Sequence, residues 1–423
     1  MVTEPVTADW LVTQRWFRSK QRPIATVAEV ERAPLGGAAL VVLEVDYADA
    51  GAPERYLVPQ VGDRDPLDGE GAWSSLVRAI GAEEELHGAH GRFVCSRTDA
   101  LASLRSDDLS ERRLKVEQSN TSVVIGDRLI LKLFRLLEPG ENPDLEIGAF
   151  LTDVGFPHTP AVAGAVTYQP DEGEASAAAI LQELIPATGD AWAAMLAALA
   201  ANPAEGVEQA ARIGEVTEAM HAALASRPDH PAFPARPATV GEAAGWRASA
   251  ERQLSQAIGA LSGPDHDRLV ELAPAVRERF ADTFGSASGQ ASVSRIHGDY
   301  HLGQLLARPD GSFSVIDFEG EPARPLAERR LPGSPLRDVA GLLRSLDYAA
   351  RTAQRETPGF DADGWLGEAR SAFIAAYGAI GPSEMSLVDA FELEKACYEV
   401  RYEASNRPEW LWLPLAAVER LAR

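Results

Sequence analysis

The hydrophobic and polar positions of the chain predict β structure in its first half. Residues 38–61, AALVVLEVDYADAGAPERYLVPQV, form two apolar or alternating runs around a turn at 49–51, which is the pattern of a hairpin. Two further runs, 122–125 and 128–134, are joined by a Gly-Asp pair, and such a pair is typical of a tight hairpin turn. The apolar run AAAILQELI at 177–185 predicts another strand.

Helical spacing prevails further along, after a short helix predicted at 73–80 and one earlier helix that follows the second pair of strands. That earlier helix begins at Pro143, carries acids in its first turn and stops at Gly155. In residues 210–225, AARIGEVTEAMHAALA, apolar side chains recur every three or four positions. Residues 240–290 are predicted to be mostly helical, and a short strand that ends in acids is predicted at 313–322. The segments SPLRDVAGLLRSLDYAA and DAFELEKACYEVRYEASNRP predict two more helices.

The order of these elements predicts an α+β fold. A β-rich cap at 1–88 precedes a small lobe of strands and one helix at 89–186, and a large helical lobe occupies 187–423. A small β-rich lobe followed by a large helical lobe is the layout of a two-lobed, protein-kinase-like fold. We therefore predict that fold, extended by an N-terminal β-rich cap.

Composition narrows the choice of function. The 423 residues include 40 Lys and Arg against 63 Asp and Glu, a net charge of −23, so nucleic acid and anionic membranes would repel the chain. Only Cys95 and Cys397 occur, far apart, which argues against a disulfide framework and a zinc site and fits a reducing compartment. The first residues carry acids without an apolar run, and no 18-residue uncharged apolar stretch is present. We expect a cytoplasmic protein.

The stretch RIHGDYHLGQLL, residues 295–306, concentrates polar and flexible residues where a core strand would turn. Phosphoryl transfer needs a carboxylate that accepts the proton of the attacking hydroxyl, and acids or amides that hold Mg²⁺. Asp299 is the candidate base, and Gln304 lies five residues on, where kinase catalytic loops place an amide ligand of Mg²⁺. Asp317 and Glu319, one hairpin further along, are the candidate carboxylate ligands. We expect His297 to support the loop and not to react.

The nucleotide side of the reaction also has candidates. Lys132 interrupts an apolar strand, where it is suited to grip phosphates, and Glu146 on the next helix is its candidate ion-pair partner. The hydroxyl and amide side chains that precede the hairpin are suited to wrap phosphates and are Gln118, Ser119, Asn120, Thr121 and Ser122. The segment LQELIPA fits a hinge that pairs with adenine through Gln182, Glu183 and Ile185.

Each of these residues taken alone also fits an ordinary structural role. Asp299 and Asp317 could cap turns, Lys132 could extend from an edge strand to solvent, and Glu146 could be a solvated helix residue. The aromatic residues near the C-terminal end could equally form core or a sugar platform and are Tyr398, Tyr402, Trp410 and Trp412. What favours the chemical interpretation is that the separate parts occur together, in kinase order and at kinase spacing.

The chain resembles the actinobacterial maltokinases and their relatives among the aminoglycoside phosphotransferase-like kinases. The similar stretches include QRWF, EQSNTSVV, LILKLFR, NPDLEIGAFL, HGDYHLGQLL, IDFEGEPARPLAERRLPGSPLRDVAGLLRS and FELEKACYEVRYEASNRPEWL. The resemblance implies ATP, Mg²⁺ and phosphorylation of a sugar hydroxyl, with the roles given above for Asp299, Gln304, Asp317, Lys132 and Glu146. The residues expected to face the sugar are Asp299, Tyr300, His301, Glu399, Tyr402, Glu403 and Trp410.

The resemblance leaves the substrate open between glucosamine, phosphorylated at C6, and maltose, phosphorylated at C1. Cys397, Arg401 and Trp412 depart from the maltokinase pattern and would make a bulkier, more polar pocket, which favours a monosaccharide. Glu399 and Glu403 could neutralise an ammonium group together with Asp299, so glucosamine is the preferred prediction. Two alternatives remain: an inactive kinase-fold subunit docked on a sugar-metabolising enzyme, and an antibiotic or choline phosphotransferase.

Overall fold

The computed structural model divides the chain into two compact units. The first comprises Met1–Ile185 with Pro325–Ala327, and the second comprises Pro186–Arg324 with Glu328–Arg423. The residues that the structure describes are 6–49, 51–104, 106–114, 119–322 and 324–422. Within those residues, no helix combines the length and the apolar character that a membrane crossing requires.

The first sheet of unit 1 has three antiparallel strands. A short helix α1 (Ala8–Thr13) precedes β1 (Ile24–Leu35), β2 (Ala38–Tyr47) and β3 (Glu54–Leu57), and the sheet order is β1-β2-β3. The predicted hairpin of β2 and β3 is confirmed. The sequence pattern does not predict β1, because most of its side chains are exposed or half-buried and charged residues interrupt its apolar positions.

The second sheet of unit 1 has seven antiparallel strands in the order β4-β5-β9-β10-β8-β7-β6. These strands are β4 (Glu85–His87), β5 (Gly91–Arg97), β6 (Glu111–Arg113), β7 (Thr121–Ile125), β8 (Leu129–Leu133), β9 (Val162–Pro170) and β10 (Ser176–Glu183). The helices of this part of the chain are α2 (Ala72–Ala82), α3 (Ala100–Leu104) and α4 (Pro143–Asp153). The predicted boundary at residue 88 falls between β4 and β5, which pair with each other, so a division of unit 1 into cap and intermediate lobe stays a proposal.

The hairpin of β7 and β8 is formed as the sequence predicts. Its turn contains Gly126 at a φ of +59°, and a Cβ at that position would lie 2.3 Å from the carbonyl oxygen of Asp108. Glycine therefore satisfies both the left-handed backbone and the close approach. The hairpin fixes the face on which Lys132 of β8 projects, because successive side chains of a strand point to opposite sides.

Helix α4 begins at the predicted Pro143. The side chain of Asn142 accepts a hydrogen bond from the backbone N–H of Asp144 at 2.8 Å and so caps the helix. The helix ends at Asp153, and Gly155 follows at a φ of +73°. The cap orients the first turn of α4, where the acidic residues lie.

Unit 2 is mainly helical. Its longer helices are α5 (Ala191–Ala201), α6 (Pro203–Leu224), α7 (Val240–Ala260), α8 (Gly263–Ser286), α10 (Leu336–Glu356), α11 (Ala362–Tyr377), α12 (Pro382–Asn406) and α13 (Trp412–Leu421), while α9 (Leu326–Arg329) is a single turn. Two small sheets contain β11 (Gly189–Asp190), β12 (Arg236–Pro237), β13 (Ser292–Val293), β14 (Leu305–Ala307) and β15 (Phe313–Val315). The helices predicted within 210–225 and 240–290 are confirmed, whereas the strand predicted at 313–322 is confined to β15. The polar stretch 295–304 joins β13 to β14, and α6, α7, α10 and α12 surround it.

Candidate active site

Asp299 opens onto a cavity within unit 2. It follows Gly298, whose φ of +85° turns the chain. The Asp299 Oδ1 atom lies 3.3 Å from the Nζ atom of Lys395 on α12. Cationic and acidic side chains converge around it, and the residues of the cavity wall that matter below are Asp299, Glu321, Arg324, Arg337, Glu394, Lys395 and Tyr398. A carboxylate at the edge of such a polar cavity can accept a proton from a hydroxyl that enters it.

Asp338 anchors the loop that carries Asp299. Its two carboxylate oxygens accept hydrogen bonds from the backbone N–H groups of His297 at 2.8 Å and Gly298 at 2.9 Å. The Nε2 atom of His221 lies 3.1 Å from the same carboxylate, and Asp338 is buried. Burial works to raise the pKa of Asp338, but the contact with His221 and the backbone donor hold it below its usual value. The carboxylate therefore stays ionised and fixes the turn.

His297 supports the loop, as predicted. Its Nε2 lies 3.0 Å from the carbonyl oxygen of Ile316, which can only accept, so Nε2–H is the donor. Its Nδ1 is then the acceptor for the backbone N–H of Asp299 at 3.4 Å. The ring also packs on Phe318, with centroids 4.9 Å apart. One imidazole thus ties the loop of Asp299 to the segment that leads into Asp317.

Gln304 and Asp317 are brought together at the ends of β14 and β15. The Nε2 atom of Gln304 lies 3.5 Å from Oδ2 of Asp317, and the backbone N–H of Ile316 donates to the carbonyl oxygen of Gln304 at 3.0 Å. Asp317 adopts a φ of +67°, a strained conformation for a residue other than glycine, and such strain is concentrated at functional sites. Glu319 is buried, and its carbonyl oxygen accepts from Arg329 at 3.2 Å. An amide and carboxylates are the hard oxygen donors that suit Mg²⁺.

In unit 1, Lys132 contacts an acid that the sequence analysis does not select. Its Nζ lies 3.0 Å from Oδ2 of Asp144, and both side chains are largely shielded, at 12% and 2% exposure. The predicted partner was Glu146, two residues further along α4. Residues two apart on a helix do not face the same side, so the two acids project differently. We therefore add Asp144 as a partner of Lys132, while the role of Glu146 stays a prediction.

Replacing Lys132 with Met should impair the handling of ATP more than the stability of the chain. The aliphatic stem is kept and the charge is removed, so we expect the KM for ATP to rise at least about tenfold or kcat to fall by a similar factor. Steady-state kinetics with varied ATP would measure this, and thermal unfolding would run alongside. A variant with wild-type kinetics and a lowered Tm would leave Lys132 with a structural role only.

The predicted phosphate-wrapping segment is described only in part. Gln118 lies outside the described residues, and Ser119 and Asn120 lead into β7. The hydroxyl of Thr121 accepts a hydrogen bond from Nε of the buried Arg135 at 2.8 Å, and Ser122 is buried inside the sheet. Thr121 and Ser122 therefore support the segment from within the sheet, and their contact with phosphates stays a prediction.

The predicted hinge lies at the end of β10. Gln182 pairs with Ile130 and Val162 on the two neighbouring strands. The backbone N–H of Glu183 donates to the carbonyl oxygen of Ala161 at 2.9 Å, so this donor is already used inside the sheet. Ile185 follows β10 and is buried. Adenine recognition by this segment stays a prediction. The N–H group of Glu183 would take no part in it.

Comparison with known proteins identifies the family. Residues 109–387 match the family model described as "Phosphotransferase enzyme family". The chain belongs to the phosphotransferase enzyme family. Residues 10–94 of this phosphotransferase match a second family model, "Maltokinase N-terminal cap domain".

Individual relatives of this phosphotransferase are similar along most of its length. It is 29% identical over 408 residues to a glucosamine kinase of Mycolicibacterium smegmatis, covering 90% of this chain and 98% of that protein. It is 28% identical over 382 residues to a glucosamine kinase of Streptacidiphilus jiangxiensis, covering 85% and 84%. A solved glucosamine kinase, in complex with glucosamine, ADP and inorganic phosphate, superposes with a TM-score of 0.75 at 25% identity, covering 99% and 100%. The predicted kinase-like fold with its N-terminal cap is thereby confirmed.

Two residues beside Asp299 have their side chains engaged within the phosphotransferase. The Tyr300 hydroxyl lies 3.0 Å from Oγ1 of Thr217, and burial raises the pKa of that hydroxyl. Tyr300 lines the cavity with its hydroxyl engaged by Thr217, and its contact with a substrate stays a prediction. The Nδ1 atom of His301 accepts from the backbone N–H of Gly303 at 3.1 Å, and burial lowers the pKa of His301.

The two glutamates predicted to meet a substrate ammonium already have internal partners. Oε2 of Glu399 accepts from Arg344 at 2.7 and 3.0 Å. Glu403 accepts from the hydroxyl of Tyr348 at 2.9 Å and from Nε of Arg407 at 2.9 Å. Both glutamates are buried and contribute to the helical core beside the cavity. Their contact with a substrate ammonium stays a prediction.

The remaining predicted sugar contacts lie away from the cavity wall. Trp410 packs against Tyr348, with ring centroids 6.3 Å apart, and Tyr402 is 44% exposed with its ring 6.4 Å from that of Tyr398. Among the described residues, Tyr398 lines the cavity, whereas Tyr402 and Trp410 do not. Cys397 is fully buried and Trp412 is 45% exposed, so neither shapes the cavity wall and the argument for a bulkier pocket is withdrawn.

Proposed function

We propose that this phosphotransferase is an ATP-dependent sugar kinase whose acceptor is glucosamine, giving glucosamine 6-phosphate. The observation that carries the proposal is the Asp299 carboxylate at the wall of a polar cavity, held by Asp338 and contacted by Lys395. A polar, hydrogen-bonding cavity beside a fixed carboxylate suits a small polyhydroxylated acceptor. The choice of glucosamine is supported by glucosamine kinases that are similar over most of the chain.

In the proposed reaction, a sugar hydroxyl donates its hydrogen bond to Asp299 and attacks the γ-phosphorus of ATP. Asp299 takes the hydroxyl proton as the new O–P bond forms and the bond to ADP breaks. Lys132 contacts the phosphates, and its pairing with Asp144 keeps the ammonium group directed. Gln304, Asp317 and Glu319 would hold Mg²⁺, which neutralises phosphate charge when it is bound.

Maltose is the second candidate acceptor, phosphorylated at its anomeric hydroxyl. The observation that favours it is the match of residues 10–94 to the maltokinase cap domain. A sugar-metabolising enzyme as partner also stays a prediction.

A coupled assay of ADP release, with ATP, Mg²⁺ and a panel of acceptors, would test the proposal. The panel would hold glucosamine, glucose, N-acetylglucosamine, maltose, choline and kanamycin at equal concentrations. We expect the largest kcat/KM with glucosamine. Preferential turnover of maltose would select the second candidate, and turnover of kanamycin or choline alone would overturn the assignment to sugars. Bound ATP without turnover of any acceptor would favour an inactive partner subunit.

Replacing Asp317 with Ala should remove the dependence of nucleotide binding on Mg²⁺. The variant loses the carboxylate of the proposed metal site and leaves Gln304 without its neighbour. We expect ATP affinity in the presence of Mg²⁺ to fall at least about tenfold, towards the affinity in EDTA. Titration of ATP with and without Mg²⁺ would measure the difference. Wild-type enhancement by Mg²⁺ would exclude Asp317 as a ligand.

A further inference from the structure

Four carboxylates line the cavity beside Asp299, and a lysine or arginine accompanies three of them. Asp299 lies 3.3 Å from Lys395, and Nε of Arg324 lies 2.6 Å from Oε2 of Glu321. Nη1 of Arg337 lies 2.9 Å from Oε2 of Glu394, which is buried. The charges of these six side chains cancel. The fourth carboxylate, Asp338, is buried, and its oxygens are bonded by His221 and by the backbone N–H groups of His297 and Gly298. An amino sugar that carries a positive charge therefore finds no carboxylate among these four that lacks a partner within the protein.

Lys395 is the cation that lies nearest the reacting position. It contacts Oδ1 of Asp299, and among the described residues no hydrogen bond reaches Oδ2, which faces an acceptor hydroxyl in the proposed reaction. Burial works to lower the pKa of Lys395, but Asp299, Glu321 and Glu399 raise it above its ordinary value. The side chain is therefore charged throughout the neutral range. A second ammonium group within a few ångströms would meet a like charge that water screens only in part, because the side chains of Lys395 and Asp299 are 32% and 20% exposed.

We infer that Lys395 determines which acceptors the cavity takes, because its ammonium group excludes a protonated amine from the vicinity of Asp299. The inference rests on the proposed function and deepens it. A neutral hydroxyl can approach Asp299, while a substrate amine has to lie at the far end of the sugar ring or enter unprotonated. Glucosamine comes nearest to this condition when its C6 hydroxyl is at Asp299, because its C2 amine then lies across the sugar ring, where the repulsion is weakened and not abolished. Lys395 therefore determines the orientation in which an amino sugar binds and also lowers its affinity.

Replacing Lys395 with Gln tests the inference through selectivity. We expect kcat/KM for glucosamine, relative to the fastest neutral sugar of the panel, to rise about tenfold at pH 6.5, because the repulsion is removed. Amines beside electron-withdrawing groups titrate near pH roughly 8, like an α-amino group, so the gain should nearly vanish at pH 9. In the wild type, the KM for glucosamine should fall between pH 6.5 and 9, and the variant should lose that fall. A merely structural lysine would change neither the ratio nor its pH dependence.

Two further variants make the comparison decisive. Lys395→Arg keeps the charge and should retain the wild-type selectivity. Arg247→Gln removes the same charge from the neighbouring helix α7, at a side chain that is 48% exposed, bonds Glu251 and does not line the cavity, and should leave the ratio unchanged. Sugar turnover with an unaltered ratio in Lys395→Gln at both pH values overturns the inference alone. Failure of every sugar in every variant overturns the proposed function and the inference with it.

Discussion

Replacing Asp299 with Asn should lower kcat by about a hundred- to ten-thousand-fold, the usual contribution of a positioned general base. The amide has the size and shape of the carboxylate but cannot take the proton of the attacking hydroxyl. The loop should keep its conformation, because it is fixed by the bonds from His297 and Gly298 to Asp338 and not by the side chain of Asp299. Single-turnover kinetics with saturating ATP and acceptor would measure the chemical step directly.

The control for this variant is Asp310→Asn. Asp310 lies between β14 and β15, where its side chain accepts from the backbone N–H of Ser312 at 3.0 Å, and it takes no part in the cavity described above. We expect this variant to turn over like the wild type, and both variants to bind ATP and to unfold near the wild-type Tm. A kcat within a few-fold of the wild type for Asp299→Asn would remove Asp299 from the role of base.

The features that could be predicted from sequence are those determined by neighbouring residues. The spacing of Asp299, Gln304 and Asp317 places these residues around one short hairpin, and the structure brings the last two within 3.5 Å. Lys132 could be selected as a candidate from sequence because it is a charged residue in an apolar strand, and such a strand otherwise excludes charge. Turn and cap residues likewise fix the β7–β8 hairpin and the start of α4.

The features that could not be predicted depend on packing between distant segments. Lys395 contacts Asp299 although 96 positions separate them in the sequence, and Asp338 contacts His297 although 41 positions separate them. The local signal for Asp338 is an acid in the first turn of a helix, followed by the apolar residues Val339 and Ala340. The partner of Glu399 could not be predicted for the same reason, because Arg344 lies on α10, 55 positions away in the sequence. Glu403 differs, because its partner Arg407 is only four positions away and the spacing could have indicated the pair.

Replacing Asp338 with Ala should have the second large effect, on stability as well as on turnover. Its carboxylate satisfies the backbone N–H groups of His297 and Gly298 and lies 3.1 Å from Nε2 of His221, all within the core of unit 2. Loss of one partner from such a buried, charged network costs about 3–5 kcal/mol of unfolding free energy. Denaturant unfolding would measure the loss, and kcat determined well below the unfolding midpoint would separate it from catalysis.

A comparison with a surface variant separates the loss of unfolding free energy from the loss of loop position. Asp363→Ala removes an acid whose side chain is 82% exposed and which bonds Arg351, so it should cost about 1 kcal/mol or less and leave kcat unchanged. Asp338→Ala should instead lower kcat at least about tenfold even where the chain is fully folded, because Asp299 depends on the two anchored amides for its position. If the folded Asp338→Ala protein kept the wild-type kcat, the anchor would serve stability alone. The position of the base would then have to come from the remaining contacts of the loop, namely those of His297 with Ile316 and of Asp299 with Lys395.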